Sequence, residues 1–164
     1  MIFCGYAGVG KSTAAKKIVG VVDLESTPFQ KDWETYARVA KHMSDHGYIV
    51  LVSCHRELRE ELHKIGANYI VVFPEKNQKE IYRQRYIERG NTEEFIETQM
   101  KHWNEWVGAT LRWINGDCTI EQEEKAIFLS TRASGRVETM TDFLDDFLEY
   151  GEGIFDLMKP TKYL

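Results

Sequence analysis

The feature that most constrains this chain lies at its start. Residues 1–4 form a short apolar run, and Gly5-Tyr6-Ala7-Gly8-Val9-Gly10-Lys11-Ser12 follows at once. The stretch matches G-x-x-x-x-G-K-[ST] in full, and residues 13–19 continue with Ala, Lys and Ile at helical spacing. A strand that enters a helix through such a loop points to a layered α/β chain with parallel strands. Glycines let backbone N–H groups turn inward around phosphate oxygens. The start of the following helix adds partial positive charge. Lys11 is placed to reach the β- and γ-phosphates of a nucleotide, and Ser12 to offer its hydroxyl to Mg²⁺. Gly5, Ala7, Gly8, Val9, Gly10, Lys11, Ser12 and Thr13 are therefore the candidate cofactor contacts, with ATP and Mg²⁺ as the expected cofactors.

The rest of the sequence alternates in the same manner. Residues 20–23 read as a second strand ending in acids, and Pro28 and Phe29 mark a turn. Residues 31–46 are helical, with Trp33, Tyr36, Ala37, Ala40 and Met43 on one side, and Gly47 closes the helix. Residues 48–52 are a continuous apolar run, as in a strand buried on both faces. Residues 57–65 are helical, and 69–73 form a fourth buried strand stopped by Pro74. Residues 78–114 are polar and helical, broken near Gly90-Asn91, and Trp103, Trp106 and Trp113 recur there at helical intervals, mostly as core residues. Residues 125–129 are a fifth apolar run, and 139–150 a last amphipathic helix. The pattern predicts one domain over residues 1–164. It has three layers: a five-stranded parallel sheet with helices on both faces, and a helical lid at about 76–115.

Bulk properties agree with that size and narrow the partners. The 164 residues are 43% hydrophobic and 29% charged, with a formal net charge of −5 and a pI of about 5.6. A broad grip on nucleic acid calls for a basic face, so nucleic acid is not an expected partner. No run approaches the roughly 20 apolar residues of a membrane span, so a membrane is not expected either. Cys4, Cys54 and Cys118 are odd in number and show no C-x-x-C spacing. They read as reduced structural thiols of a cytoplasmic protein, monomer or homodimer, whose partners are small-molecule nucleotides.

Each of the first three strands ends in residues suited to chemistry. Asp23 and Glu25 form D-x-E and point the same way on an extended segment. Two carboxylates beside a phosphate can anchor Mg²⁺ or take a proton from an attacking hydroxyl. Ser26 is placed to hydrogen-bond an acceptor. After the third strand come Ser53-Cys54-His55-Arg56, where Arg56 can clamp an acceptor phosphate bidentately. Arg85 and Arg89 are four apart and share a helix face, with Arg83 nearby. Such a face would neutralise transition-state charge as it closes. Arg132 and Arg136 follow the fifth strand, where an arginine can stack on a nucleotide base. Phe29, Trp33 and Tyr36 can line an acceptor pocket or serve as core.

Taken together, this order resembles the nucleoside monophosphate kinase branch of P-loop proteins, which includes adenylate, thymidylate and shikimate-type kinases. The likeness spans about residues 1–150 and is nearest to small phage-type (deoxy)nucleoside monophosphate kinases. It implies a P-loop NTPase fold and transfer of the ATP γ-phosphate to a nucleoside monophosphate. It also implies roles: Asp23, Glu25, Ser26 and Ser53 meet the acceptor, Arg56 holds its phosphate, and Arg38 assists. Arg85 and Arg89 resemble the lid pair, and Asp23 stands in for the metal carboxylate. The sequence departs from adenylate kinases after the third strand: D-G-x-P-R is replaced by Ser53-Cys54-His55-Arg56, which keeps only the arginine and has no aspartate. A kinase of a hydroxyl acceptor is the alternative within this class. A nucleotide-dependent switch or ATPase is the alternative outside it.

Overall fold

Five short parallel strands form one sheet in the computed structural model, which describes residues 1–114 and 121–151. In chain order they are β1 (Ile2–Gly5), β2 (Val21–Asp23), β3 (Ile49–Ser53), β4 (Tyr69–Pro74) and β7 (Ala126–Leu129). Their spatial order is β2-β3-β1-β4-β7. A separate antiparallel pair consists of β5 (Arg112–Ile114) and β6 (Glu121–Glu123). Every residue of β1 and β4 is buried, as are Val50, Leu51 and Val52 of β3. These near-continuous apolar runs suit strands covered on both faces.

Helices supply the covers. α1 (Lys11–Lys17) packs beside α7 (Met140–Tyr150), and α2 (Trp33–Asp45) packs against α3 (Arg56–Lys64). Right-handed crossovers place the first pair on one face and the second on the other. Phe3 meets Phe143 and Phe147 of α7 edge-on, with centroids 5.4 and 5.3 Å away. α2 begins at Asp32, whose carboxylate accepts from Thr35 N–H at 3.0 Å. α7 begins in a capping box between Thr139 and Asp142.

Between β4 and β7 lie α4 (Lys79–Glu88), α5 (Glu93–Lys101) and α6 (Trp103–Trp106). Gly90, at φ +73°, turns the chain between α4 and α5, and Thr92 caps α5 by accepting from Phe95 N–H. Tyr82, Tyr86 and Trp103 are fully buried in the core, where Trp103 meets Tyr6 and Tyr86 reaches Ala7 O.

Two expectations need correction. Helix does not run to residue 114: Gly108 takes φ +80°, and residues 112–114 are strand β5. Trp113 therefore lies on a strand with its ring stacked on His63 at 3.7 Å, and Trp106 is 37% exposed. Only Trp103 of the three is core. Cys4 and Cys54 are free thiols, and burial pushes Cys54 up to about 11. Cys118 lies outside the described residues. Among the described residues no helix is long and apolar enough to cross a membrane.

Candidate functional site

The strand register decides which loops meet. Gly5 is level with Ser53 across the β1–β3 pair, and Asp23 is level with Leu51 across β2–β3. The segment after Asp23 therefore runs past Ser53 beside the glycine loop. The chain leaves β1 toward β2 and later recrosses β1 on its way from β3 to β4. Strand order thus reverses at β1, and ligands of open α/β sheets bind beyond the strand ends at such a point.

A cleft of about 690 Å³ opens there. Its floor is Ala7, Gly8, Gly10, Lys11, Ser12 and Thr13; one wall is Asp23, Leu24, Glu25, Ser26, Thr27 and Ser53. The opposite wall is Arg85, Glu88, Arg89, Asn91 and Phe95 from α4 and α5, with Thr139 from the start of α7.

Gly8 and Gly10 adopt φ +87° and +97°, values that L side chains rarely take. A Cβ on Gly8 would stand 2.9 Å from the Tyr86 ring. Among the described residues, nothing accepts from the N–H groups of Gly8, Gly10, Lys11, Ser12 or Thr13. Backbone donors left free in this way call for water or a ligand acceptor. Lys11 Nζ donates to Gly5 O at 2.8 Å, which folds the side chain back over the loop. Burial lowers the pKa of its ammonium, and the Asp23 carboxylate opposes that shift. Ser12 Oγ donates to Asp23 Oδ2 at 2.6 Å.

The walls are held by buried tyrosines. Tyr36, fully buried on α2, accepts from Ser53 N–H at 3.0 Å and donates to Leu24 O. One hydroxyl thus fixes the ends of β2 and β3 relative to each other, and burial pushes it up to about 12. On the opposite side Tyr86 Oη donates to Ala7 O at 2.8 Å, and Arg85 Nη1 donates to Gly8 O at 3.1 Å. The Arg85 guanidinium lies 4.7 Å above the Tyr82 ring. Tyr6, leaving β1, donates to Gln99 Oε1 of α5 at 3.0 Å. His55 Nδ1 lies 2.9 Å from Ser53 Oγ, with the Trp33 ring 4.9 Å from the imidazole.

The cleft thus gathers Ala7, Gly8, Gly10, Lys11, Ser12, Thr13, Asp23, Glu25, Ser26, Ser53, Arg85 and Arg89. Other sequence candidates stand elsewhere. Val9 is core, and its carbonyl accepts from Met140 N–H at 2.7 Å. Gly5 contributes its carbonyl to Lys11 rather than a cleft surface. Arg56 is 70% exposed and pairs with Glu60 at 2.8 Å; Arg38 pairs with Glu34 at 2.9 Å. Arg83 pairs with Glu80 and lines a smaller hollow between α4 and α5. Phe29 stacks on Tyr36 and the Trp33 ring lies 6.5 Å from Tyr36, and neither lines the cleft. Arg132 is taken by Glu138, and Arg136 makes two 2.9 Å bonds to Asp142, so neither lines the cleft.

Sequence reading missed Leu24, Thr27, Glu88, Asn91, Phe95 and Thr139. Thr139 carried a signal, since T-x-x-D is a capping pattern that marks a helix start. Asn91 and Glu88 flank Arg89, and their position beside the glycine turn was the only hint.

The sequence matches no protein-family model, and no curated protein matches it.

Proposed function

We propose that this protein is an ATP-dependent phosphotransferase of the P-loop type. In this reading the 5–12 loop holds the triphosphate of ATP with Mg²⁺, and the γ-phosphate passes to a small acceptor beside residues 23–27. The observation that carries the reading is the set of N–H groups without a protein acceptor, among the described residues, on Gly8, Gly10, Lys11, Ser12 and Thr13, all of which line the cleft. A chain of phosphate oxygens is the acceptor set that fits such a floor.

The donor set also fits the metal. Ser12 Oγ and Asp23 Oδ2 are 2.6 Å apart, a hydroxyl and a carboxylate oxygen at one point beside the loop. Mg²⁺ prefers few protein oxygens and completes its shell with phosphate and water. Among the described residues no cluster of three or more His, Cys, Asp or Glu could hold a metal by itself. Ser12 and Asp23 would hold Mg²⁺ together with ATP; the ion neutralises charge on the transferring group.

The chain's own groups supply the rest. Lys11 gives up its backbone partner Gly5 O for phosphate oxygen, which restores solvation to a buried charge. Arg85 is already anchored on Gly8 O and the Tyr82 ring, so it positions the loop. Arg89, exposed at the end of α4, is free to reach the γ-phosphate and stabilise charge there. The likeness to nucleoside monophosphate kinases makes a nucleoside monophosphate one acceptor; a hydroxyl compound is the other. Incubation with γ-labelled ATP, Mg²⁺ and a panel of both tests the reading. Label in a small product supports phosphotransfer, and a panel without any labelled product refutes it.

A further inference from the structure

The acceptor half of the cleft has its own chemistry. Asp23, Glu25, Ser26, Thr27 and Ser53 line it, which gives two carboxylates, three hydroxyls and no cation. The arginines that would clamp an acceptor phosphate are not in this lining: Arg56 and Arg38 are exposed and paired with Glu60 and Glu34. The cations that do line the cleft belong to its other parts. Lys11 and Arg85 bind carbonyls of the glycine loop, and Arg89 lies at the end of α4.

We infer that the acceptor is an uncharged polyol, such as a nucleoside, and that it is phosphorylated on a hydroxyl rather than on a phosphate. The inference rests on the phosphotransferase reading and names the substrate class for that site. With Asp23 assigned to the metal, Glu25 is the charge left on this wall, and a phosphate placed beside it would meet like charge where the neighbouring Ser26, Thr27 and Ser53 supply no cation. A hydroxyl suits the same surface, because carboxylates accept its proton and serine and threonine both donate and accept. The Glu25 carboxylate makes no hydrogen bond or ion pair among the described residues, so its acceptor capacity is unspent. Ser53 is held on both sides, its Oγ by His55 and its N–H by Tyr36, so one hydroxyl in the wall has a fixed position. In the step, the acceptor oxygen forms a bond to the γ-phosphorus and the bond from that phosphorus to the bridging oxygen breaks. ADP leaves with the electron pair, and the hydroxyl proton passes to Glu25.

The test uses the full chain with ATP and Mg²⁺, and compares each nucleoside with its own 5′-monophosphate, while calorimetry follows ATP binding. The expected result is a kcat/KM at least about 100-fold higher for a nucleoside than for its monophosphate, the discrimination available to a site built for hydroxyls. E25Q is expected to lower kcat by about 100-fold or more while the ATP Kd stays within about threefold, the effect of losing a proton acceptor. Preference for the monophosphate overturns the inference and leaves the phosphotransferase reading intact. ATP binding with no transfer to any nucleoside or other polyol also overturns it. Failure of a folded sample to bind ATP removes the parent reading itself.

Discussion

Ser12 Oγ hydrogen-bonds Asp23 Oδ2 at 2.6 Å, which joins the first turn of α1 to the end of β2. β3 lies between β1 and β2 in the sheet, so the contact ties the helix that follows β1 to a strand that β1 does not pair with. It brings a carboxylate to the glycine loop although β3, the strand beside β1, ends in Ser53. In the proposed function this pair is the protein's share of the metal shell. Asp23→Asn keeps the size and a hydrogen bond but removes the charge. ATP affinity with Mg²⁺ is expected to fall roughly 10- to 100-fold, while affinity measured in chelator changes little. Paired titrations with and without metal check it.

Gly8 is fixed by both backbone and neighbours. Its φ is +87°, and an added Cβ would meet Tyr86 at 2.9 Å and Tyr82 at 3.2 Å. Gly8→Ala is expected to cost about 2–4 kcal/mol, the sum of backbone strain and overpacking. Gly20 has a similar φ of +83° with nothing within 4 Å, so Gly20→Ala pays for strain alone, about 1 kcal/mol. Thermal unfolding of the two variants separates crowding from strain.

Tyr86 offers a milder probe of the same contact. Its hydroxyl donates to Ala7 O, and Tyr86→Phe removes that bond without altering the ring. A loss of about 1 kcal/mol follows, or a Tm lower by about 2–4 °C. The glycine loop also loses one of its two α4 anchors, so ATP binding is expected to weaken in the same variant.

Acid stability should depend on Asp142. The Arg136 guanidinium holds its carboxyl well below the usual carboxylate range, and Thr139 hydrogen bonds assist, while burial opposes them. The sign follows from linkage: a depressed folded-state pKa contributes stability that is present above the ordinary value and is lost as pH falls through and below it. Arg136 is half exposed, which screens the ion pair, so the contribution resides largely in the cap. Asp142→Ala is expected to cost about 1 kcal/mol at pH 7. The difference from wild type should shrink below about pH 4, the ordinary carboxylate range. Urea unfolding between neutral pH and pH 3 shows whether the two curves converge.

Much of the sheet was legible because buried parallel strands leave apolar runs, as at residues 48–52 and 69–73. The glycine loop was legible because its backbone demands specific residues. Trp113 was misread because three tryptophans at helical intervals imitate a helix, while β5 is only three residues long and pairs with polar β6. The arginines were the least legible. Arg56, Arg85 and Arg136 look alike in sequence, and what separates them is the partner each finds: Glu60, Gly8 O and Asp142. Nor does sequence periodicity reveal that Tyr36 and Tyr86 each give a hydroxyl to the backbone that lines the cleft.

The most direct test of the account is calorimetric titration of ATP·Mg²⁺ into wild type and Lys11→Ala. Wild type is expected to bind within the range of about 1 μM to 1 mM usual for enzyme substrates. Lys11→Ala is expected to weaken binding by about 10- to 100-fold, the worth of one charge-assisted contact. A folded wild type that does not bind, or a Lys11→Ala variant that binds equally well, would contradict the assignment of the loop.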